Sequence, residues 1–215
     1  MNIGGKIFRE LKVFCKDHFR NRDYFALVYG SYASNDFTEN SDLDFFIATD
    51  KRDAEDFIKV RDFIVDLHNR NSLRINEEVP YENKLIVSYK DAVDALNLKA
   101  FIRRGARYVI PPVTADEEFL SSREVRFRII LNALTSPNRF ICGNRNKYNS
   151  FKKEAEKSII KLAYGIADVE KPTKEEILNV LLRGSNGEEG GDYLGYRNHR
   201  PKVIKYLKKL ISTNI

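Results

Sequence analysis

The sequence predicts an α+β fold: a small mixed β-sheet with helices on one side, followed by an α-helical bundle domain. Three observations predict it. Short runs of β-forming residues occupy 24–29, 45–48, 72–79 and 84–89. Apolar residues at helical spacing fill 3–20 and 52–69 between them. Beyond Asp91 the pattern becomes helical throughout.

In order, Ile3, Ile7, Leu11, Phe14, Cys15 and Phe19 give a first amphipathic helix whose stripe covers one face of the sheet. Cys15 and His18 lie on or beside that stripe and read as packing residues, because no third member of a catalytic triad is near. Residues 24–29 form a buried strand stopped at Gly30-Ser31, and 32–37 read as a short helix. Residues 45–48 make a second strand. Phe57, Val60, Ile64, Val65 and Leu67 make a helix over 52–69, with His68 near its carbonyl end as a capping residue. In 72–79, Leu73 and Ile75 face one way while Arg74, Asn76 and Glu78 face the other. Residues 80–83 are turn chemistry, and 84–89 form a fourth strand able to pair antiparallel with the third. Helices follow at about 92–100, 115–134, 148–168, 173–182 and 203–211, with an extended connector at 108–113. The domain boundary falls near residue 90. Five glycines within 183–200 break any helix there, making a long loop whose Asp192, Tyr193, Tyr196 and His199 are lid or acceptor-contact candidates.

Composition narrows the function classes. No apolar run approaches a membrane span, and the N-terminus is too charged for a secretory signal. Two cysteines, Cys15 and Cys142, indicate neither a disulfide framework nor a thiolate zinc site, so a cytoplasmic protein is expected. Residues 1–90 hold 14 Lys+Arg against 16 Asp+Glu, whereas residues 91–215 hold 23 against 15. An acidic half that gathers metal and a basic half that faces phosphates is one reading of that asymmetry, and a solvated helical surface is the other.

The chemistry concentrates in Gly30-Ser31, a ten-residue gap, then Asp42-Leu43-Asp44. Alternation places both carboxylates on one face at the start of a strand. Paired acids there serve packing poorly and suit a divalent cation: Mg²⁺ takes oxygen ligands and is usually held by one or two carboxylates together with substrate phosphates. Gly30 lets the backbone approach a phosphate, Ser31 adds a hydroxyl and an N–H, and free N–H groups of the short helix aim at the same anion. Lys84 is a further candidate contact for a triphosphate.

These residues resemble the signature of the nucleotidyltransferase superfamily with the DNA polymerase β-like fold. The likeness is carried by residues 24–50, extends to Tyr89, and is architectural beyond. It implies a Gly-Ser phosphate loop, two metal-binding aspartates, two Mg²⁺ ions, a nucleoside triphosphate as co-substrate and a third carboxylate on a neighbouring strand. Where the family pattern often has that acid, this chain has Asn76. Glu78, on the same face one alternation further, is the first candidate for the third ligand or base, with Glu77 behind it. The helical second half resembles that of antibiotic-modifying members, in which such a domain helps bind the acceptor.

The reaction this implies is in-line attack of an acceptor hydroxyl on the α-phosphorus with release of pyrophosphate. A small-molecule acceptor is preferred, then a protein side chain, then a nucleic acid end. The alternative, prompted by Asn76, is a catalytically weak or inactive nucleotide-binding, antitoxin-like regulator that acts with a protein partner. Nucleic-acid binding through the basic bundle ranks below both.

Overall fold

A computed structural model describes residues 3–38, 41–74, 84–109, 121–167, 169–182 and 201–215. Among the described residues the helices are α1 (Ile3–His18), α2 (Gly30–Ser34), α3 (Ala54–Asn71), α4 (Tyr89–Leu96), α5 (Arg123–Thr135), α6 (Arg145–Ile166), α7 (Lys174–Leu182) and α8 (Pro201–Asn214). The strands are β1 (Tyr24–Tyr29), β2 (Phe45–Thr49), β3 (Ile86–Ser88), β4 (Ile102–Arg104), β5 (Arg107–Val109) and β6 (Asn138–Gly143). Glu77, Glu78 and Asn76, most of the expected third strand, and the glycine-rich 183–200 segment lie outside the described residues.

Every residue of β1 is buried, as a strand covered on both faces and paired on both edges must be. It pairs antiparallel with β2, from Tyr24 opposite Thr49 to Val28 opposite Phe45. On its other edge it pairs antiparallel with β6, with a bulge between Ala26 and Leu27. The sheet order is β3-β2-β1-β6, and β3 runs parallel to β2. The sheet is therefore mixed, as expected. Its edge strand β6, however, comes from the basic half of the chain, where the sequence pattern suggested only helix and connector. The 102–109 stretch is a small antiparallel hairpin, β4–β5, whose second strand takes in the first two residues of the 108–113 stretch read as an extended connector.

The period-2 rule sorts the core into two layers. Tyr24, Ala26, Val28, Phe45, Ile47 and Ile86 pack with Ile7, Leu11, Cys15, Val60, Ile64 and Leu67 of α1 and α3, so the N-terminal helices cover one face, as their stripes require. Phe25, Leu27, Tyr29, Phe46, Ala48 and Val87 point the other way, into the helices of the second half. Phe25 lies at the centre of this layer, with the rings of Phe46, Tyr89, Tyr148 and Phe151 at centroid distances of 5.7 to 6.4 Å. It is fully buried, and truncation there would cost about 3–5 kcal/mol, a large share of the stability of any domain.

β6 ends at Gly143, whose φ of +96° and contact with the Tyr24 carbonyl and Phe25 Cα leave no room for a side chain. Asn144 then caps α6 by accepting from the Lys147 N–H at 3.0 Å, so strand end and helix start are one device.

α1 and α3 are tied by a buried carboxylate. Asp56, 3% exposed, accepts from Arg22 and lies 3.1 Å from Nε2 of His18. His18 also stacks on Phe14, so its role is structural, as the sequence suggested. Asp53 caps α3 by accepting from the Asp56 N–H at 2.9 Å and takes a second bond from Arg22 at 3.1 Å. That backbone bond first, and Arg22 second, hold the Asp53 carboxyl down at about 2 against its ordinary 3.8.

A depressed carboxylate stabilises the fold above its unfolded pKa and stops doing so as pH falls through its folded one. Asp53→Asn keeps the cap acceptor and removes the charge. Wild type will therefore be more stable than Asp53→Asn above pH 3.8, by about 0.5–1 kcal/mol at this partly exposed site, and the gap will close as pH falls through about 2. Urea unfolding of both chains across that window measures it.

Candidate active site

The end of β1 and the start of β2 meet because the two strands are antiparallel. One step beyond the last ladder pair, the Tyr29 N–H donates to the Asp44 carbonyl at 3.0 Å. This sets Gly30 directly beside Asp44. Gly30 has φ +69°, a left-handed conformation that L side chains rarely adopt, and a Cβ built on it would collide with the Asp44 carboxylate. The carboxylate thus leans across bare backbone.

The turn continues straight into α2, which starts at Gly30, two residues earlier than the sequence pattern indicated. Asn35 stops it after one turn by taking the αL conformation. The Ser34 hydroxyl donates to the Gly30 carbonyl at 3.1 Å and lies 3.2 Å from the Ser31 carbonyl, fixing the loop. Ser31 is 8% exposed, and Gly30, Asp42 and Asp44 are half-buried.

Asp42 lies two residues before Asp44 and joins Arg74 through an isolated parallel bridge, the described start of the expected third strand. Its charge reaches two buried rings. Burial first, and Asp42 second, push the Tyr32 phenol up. His68, 4% exposed, is pulled down by burial and by Lys84 while Asp42 acts in the opposite sense. His68 Nδ1 sits 2.7 Å from the Ile64 carbonyl, which can only accept, so Nδ1 carries the proton. His68 is a buried neighbour of the acidic cluster, not the terminal cap read from the sequence. The charges of Asp42 and Lys84 thus both reach His68, in opposite senses.

Lys202, in the first turn of α8, was not singled out by its sequence. Its Nζ donates to the Ser34 carbonyl and to the Asp36 carboxylate, both at 2.6 Å. The only sequence signal for it was the excess of positive charge in the second half, which is diffuse and names no residue. Among the described residues no three His, Cys, Asp or Glu side chains group to hold a metal ion. Two carboxylates completed by substrate oxygens are nonetheless a normal Mg²⁺ donor set. The bare backbone at Gly30 beside one of them fits such a site.

Comparison with known families bears on this arrangement. The family model described as Nucleotidyltransferase domain matches residues 8–108. Residues 8–108 are similar to a nucleotidyltransferase domain. No curated protein and no solved structure matches the chain. The matched segment runs from α1 through the β4–β5 hairpin and contains Gly30, Ser31, Asp42, Asp44 and Lys84. Among the described residues no helix is long and apolar enough to cross a membrane.

Proposed function

We propose that the chain transfers a nucleoside monophosphate from a nucleoside triphosphate to an acceptor hydroxyl, releasing pyrophosphate, and that Asp42 and Asp44 hold the Mg²⁺ it requires. The observation that carries this reading is the Asp44 carboxylate lying against the Cβ-free backbone of Gly30 inside a matched nucleotidyltransferase domain. A divalent ion bound there supplies positive charge for the phosphate oxygens in the transition state.

The chain's own groups do the rest. Gly30 and Ser31 give the triphosphate a close backbone approach and a hydroxyl. Lys202, already bonded to the same turn, brings an ammonium to the outer rim of the loop, where a phosphate tail can exchange for the Ser34 carbonyl or the Asp36 carboxylate. Lys84 is proposed as a further cationic contact for the triphosphate. Glu78, with Glu77 as alternate, is proposed as the third carboxylate that takes the acceptor proton. Residues 91–215 are proposed to receive the acceptor, a small molecule by preference. The half-buried carboxylates and the helical layer packed on the same sheet face as Asp44 suit an acceptor held in a cleft.

The test is incubation of the full chain with α-labelled nucleoside triphosphates, Mg²⁺ and a panel of hydroxyl compounds, with proteins and RNA as further acceptors. Labelled acceptor appearing in step with pyrophosphate supports transfer. Saturable nucleotide binding with no pyrophosphate over any acceptor sinks it in favour of a regulatory binder.

A further inference from the structure

The surplus of positive charge in the second half, diffuse along the sequence, gathers on two elements that touch. α6 carries six Lys or Arg against two Glu, and the β4–β5 hairpin carries three Arg and no acid. Together they hold nine of the 23 basic residues of 91–215 but only two of its 15 acidic ones. None of these cations has a part in the site described above.

The hairpin presents its charge outward. Its register sets Arg104 directly opposite Arg107, Arg103 opposite Tyr108, and Ile102 opposite Val109. Directly opposite residues share a face, so Tyr108 lies on one face while Ile102, Arg104, Arg107 and Val109 lie on the other. Tyr108 is the side against α6, because a side chain at Gly165 would meet its ring and the Ala106 carbonyl of the turn. The four residues of the other face are all exposed. Two guanidiniums directly opposite repel; an anion between them turns that repulsion into attraction, and their planar forks match a phosphate.

The helix extends the track. Lys153, Lys157 and Lys161 are exposed and recur every four residues, so they line one side of α6 at steps of about 6 Å along its axis. Gly165 is the next step of that series, so the stripe runs up to the hairpin turn. Lys157 lies 3.2 Å from Glu154, an exposed pair of the weak kind. Glu156, the other acid of α6, is drawn away to Lys152 and the Tyr206 hydroxyl. Among the described residues no carboxylate pairs with Arg104, Lys153 or Lys161.

We propose that the outer face of the β4–β5 hairpin and the Lys153–Lys157–Lys161 stripe form one binding surface for a single nucleic acid strand, its backbone lying along the stripe with a phosphate held between Arg104 and Arg107. One row of cations at one spacing matches a chain that carries one charge on every unit. Ile102 and Val109, exposed beside the arginine pair, give apolar contact to sugars and bases. Contacts to the backbone carry no sequence information, so binding is indifferent to sequence. It needs neither nucleotide nor turnover, and it stands apart from the transfer reading.

Fluorescence anisotropy of a labelled mixed-sequence RNA oligonucleotide with the full chain, over a salt series and without nucleotide, tests this. Saturable binding is expected at low salt, with an affinity that falls with roughly the third power of salt concentration, as neutralising about four phosphates of a single strand requires. Arg104→Gln/Arg107→Gln and, separately, Lys153→Gln/Lys161→Gln should each weaken binding roughly ten-fold and flatten that slope by about 1. All four positions are exposed, so the variants should melt with the wild type. Lys12→Gln/Lys16→Gln removes the same charge from α1, on the opposite side of the sheet, and should leave affinity near wild type. The proposal is overturned by the absence of saturable binding at low salt, by hairpin and stripe variants that bind as tightly as wild type, or by an equal loss in the α1 variant, which would mean net charge alone. Poly-glutamate or anionic vesicles binding as tightly as RNA would also overturn it, assigning the surface to an acidic protein or a membrane.

Discussion

Asp44→Asn will reduce pyrophosphate release by roughly 10²–10³-fold or more while leaving the fold intact. The substitution is nearly isosteric, and the bond that registers the site uses the Asp44 backbone carbonyl, which accepts from the Tyr29 N–H whatever the side chain. What is lost is one negative oxygen pair beside the Gly30 turn. A neutral amide neither balances a divalent cation nor supplies two equivalent oxygen ligands, and ions held by two carboxylates and substrate are sensitive to the loss of either. Asp42→Asn is expected to act in the same direction. The double replacement should cost little more than either single one, because groups that act as a unit are not additive. Steady-state pyrophosphate assays over a Mg²⁺ series, with melting curves of each variant, measure this. An Asp44→Asn protein within a few-fold of wild type would remove the carboxylate from the site and the transfer reading with it.

The parts of the site legible in the sequence are those set by local rules. Tyr24–Tyr29 is an unbroken apolar run that stops at a glycine, and Asp42-x-Asp44 precedes a second run, so strand, turn and strand with acids at the mouth follow from period and punctuation alone. The juxtaposition of Gly30 with Asp44 then needs only an antiparallel pairing.

The parts that were not legible are set by distant partners. β6 is six residues long, carries a bulge opposite Ala26 and Leu27, and sits between Pro137 and the Asn144 cap, so its alternation is too short and irregular to register. Its existence was nevertheless implied by β1. A strand buried along its whole length needs a hydrogen-bonding neighbour on each edge, and β2 supplies only one. β3 runs parallel to β2, a direction that a short run of β-formers cannot encode. Lys202 reaches the Ser34 turn from the far end of the chain, and no local pattern connects them.

Gly30→Ala carries the second large effect, and it separates strain from chemistry. A methyl group there must accept φ +69° and push against the Asp44 carboxylate. The backbone conformation alone costs about 1–2 kcal/mol for a non-glycine residue, and the displaced carboxylate adds to it. Transfer should fall as far as in Asp44→Asn, because the same carboxylate is moved. The discriminating chain is Gly30→Ala combined with Asp44→Ala. Removing the carboxylate removes the collision but not the backbone strain, so the double variant should be more stable than the sum of its parts predicts, by about 0.5–3 kcal/mol in a double-mutant cycle. It should stay inactive throughout. Additive stabilities would mean that the carboxylate does not press on the glycine, and the observation on which the transfer reading rests would be gone.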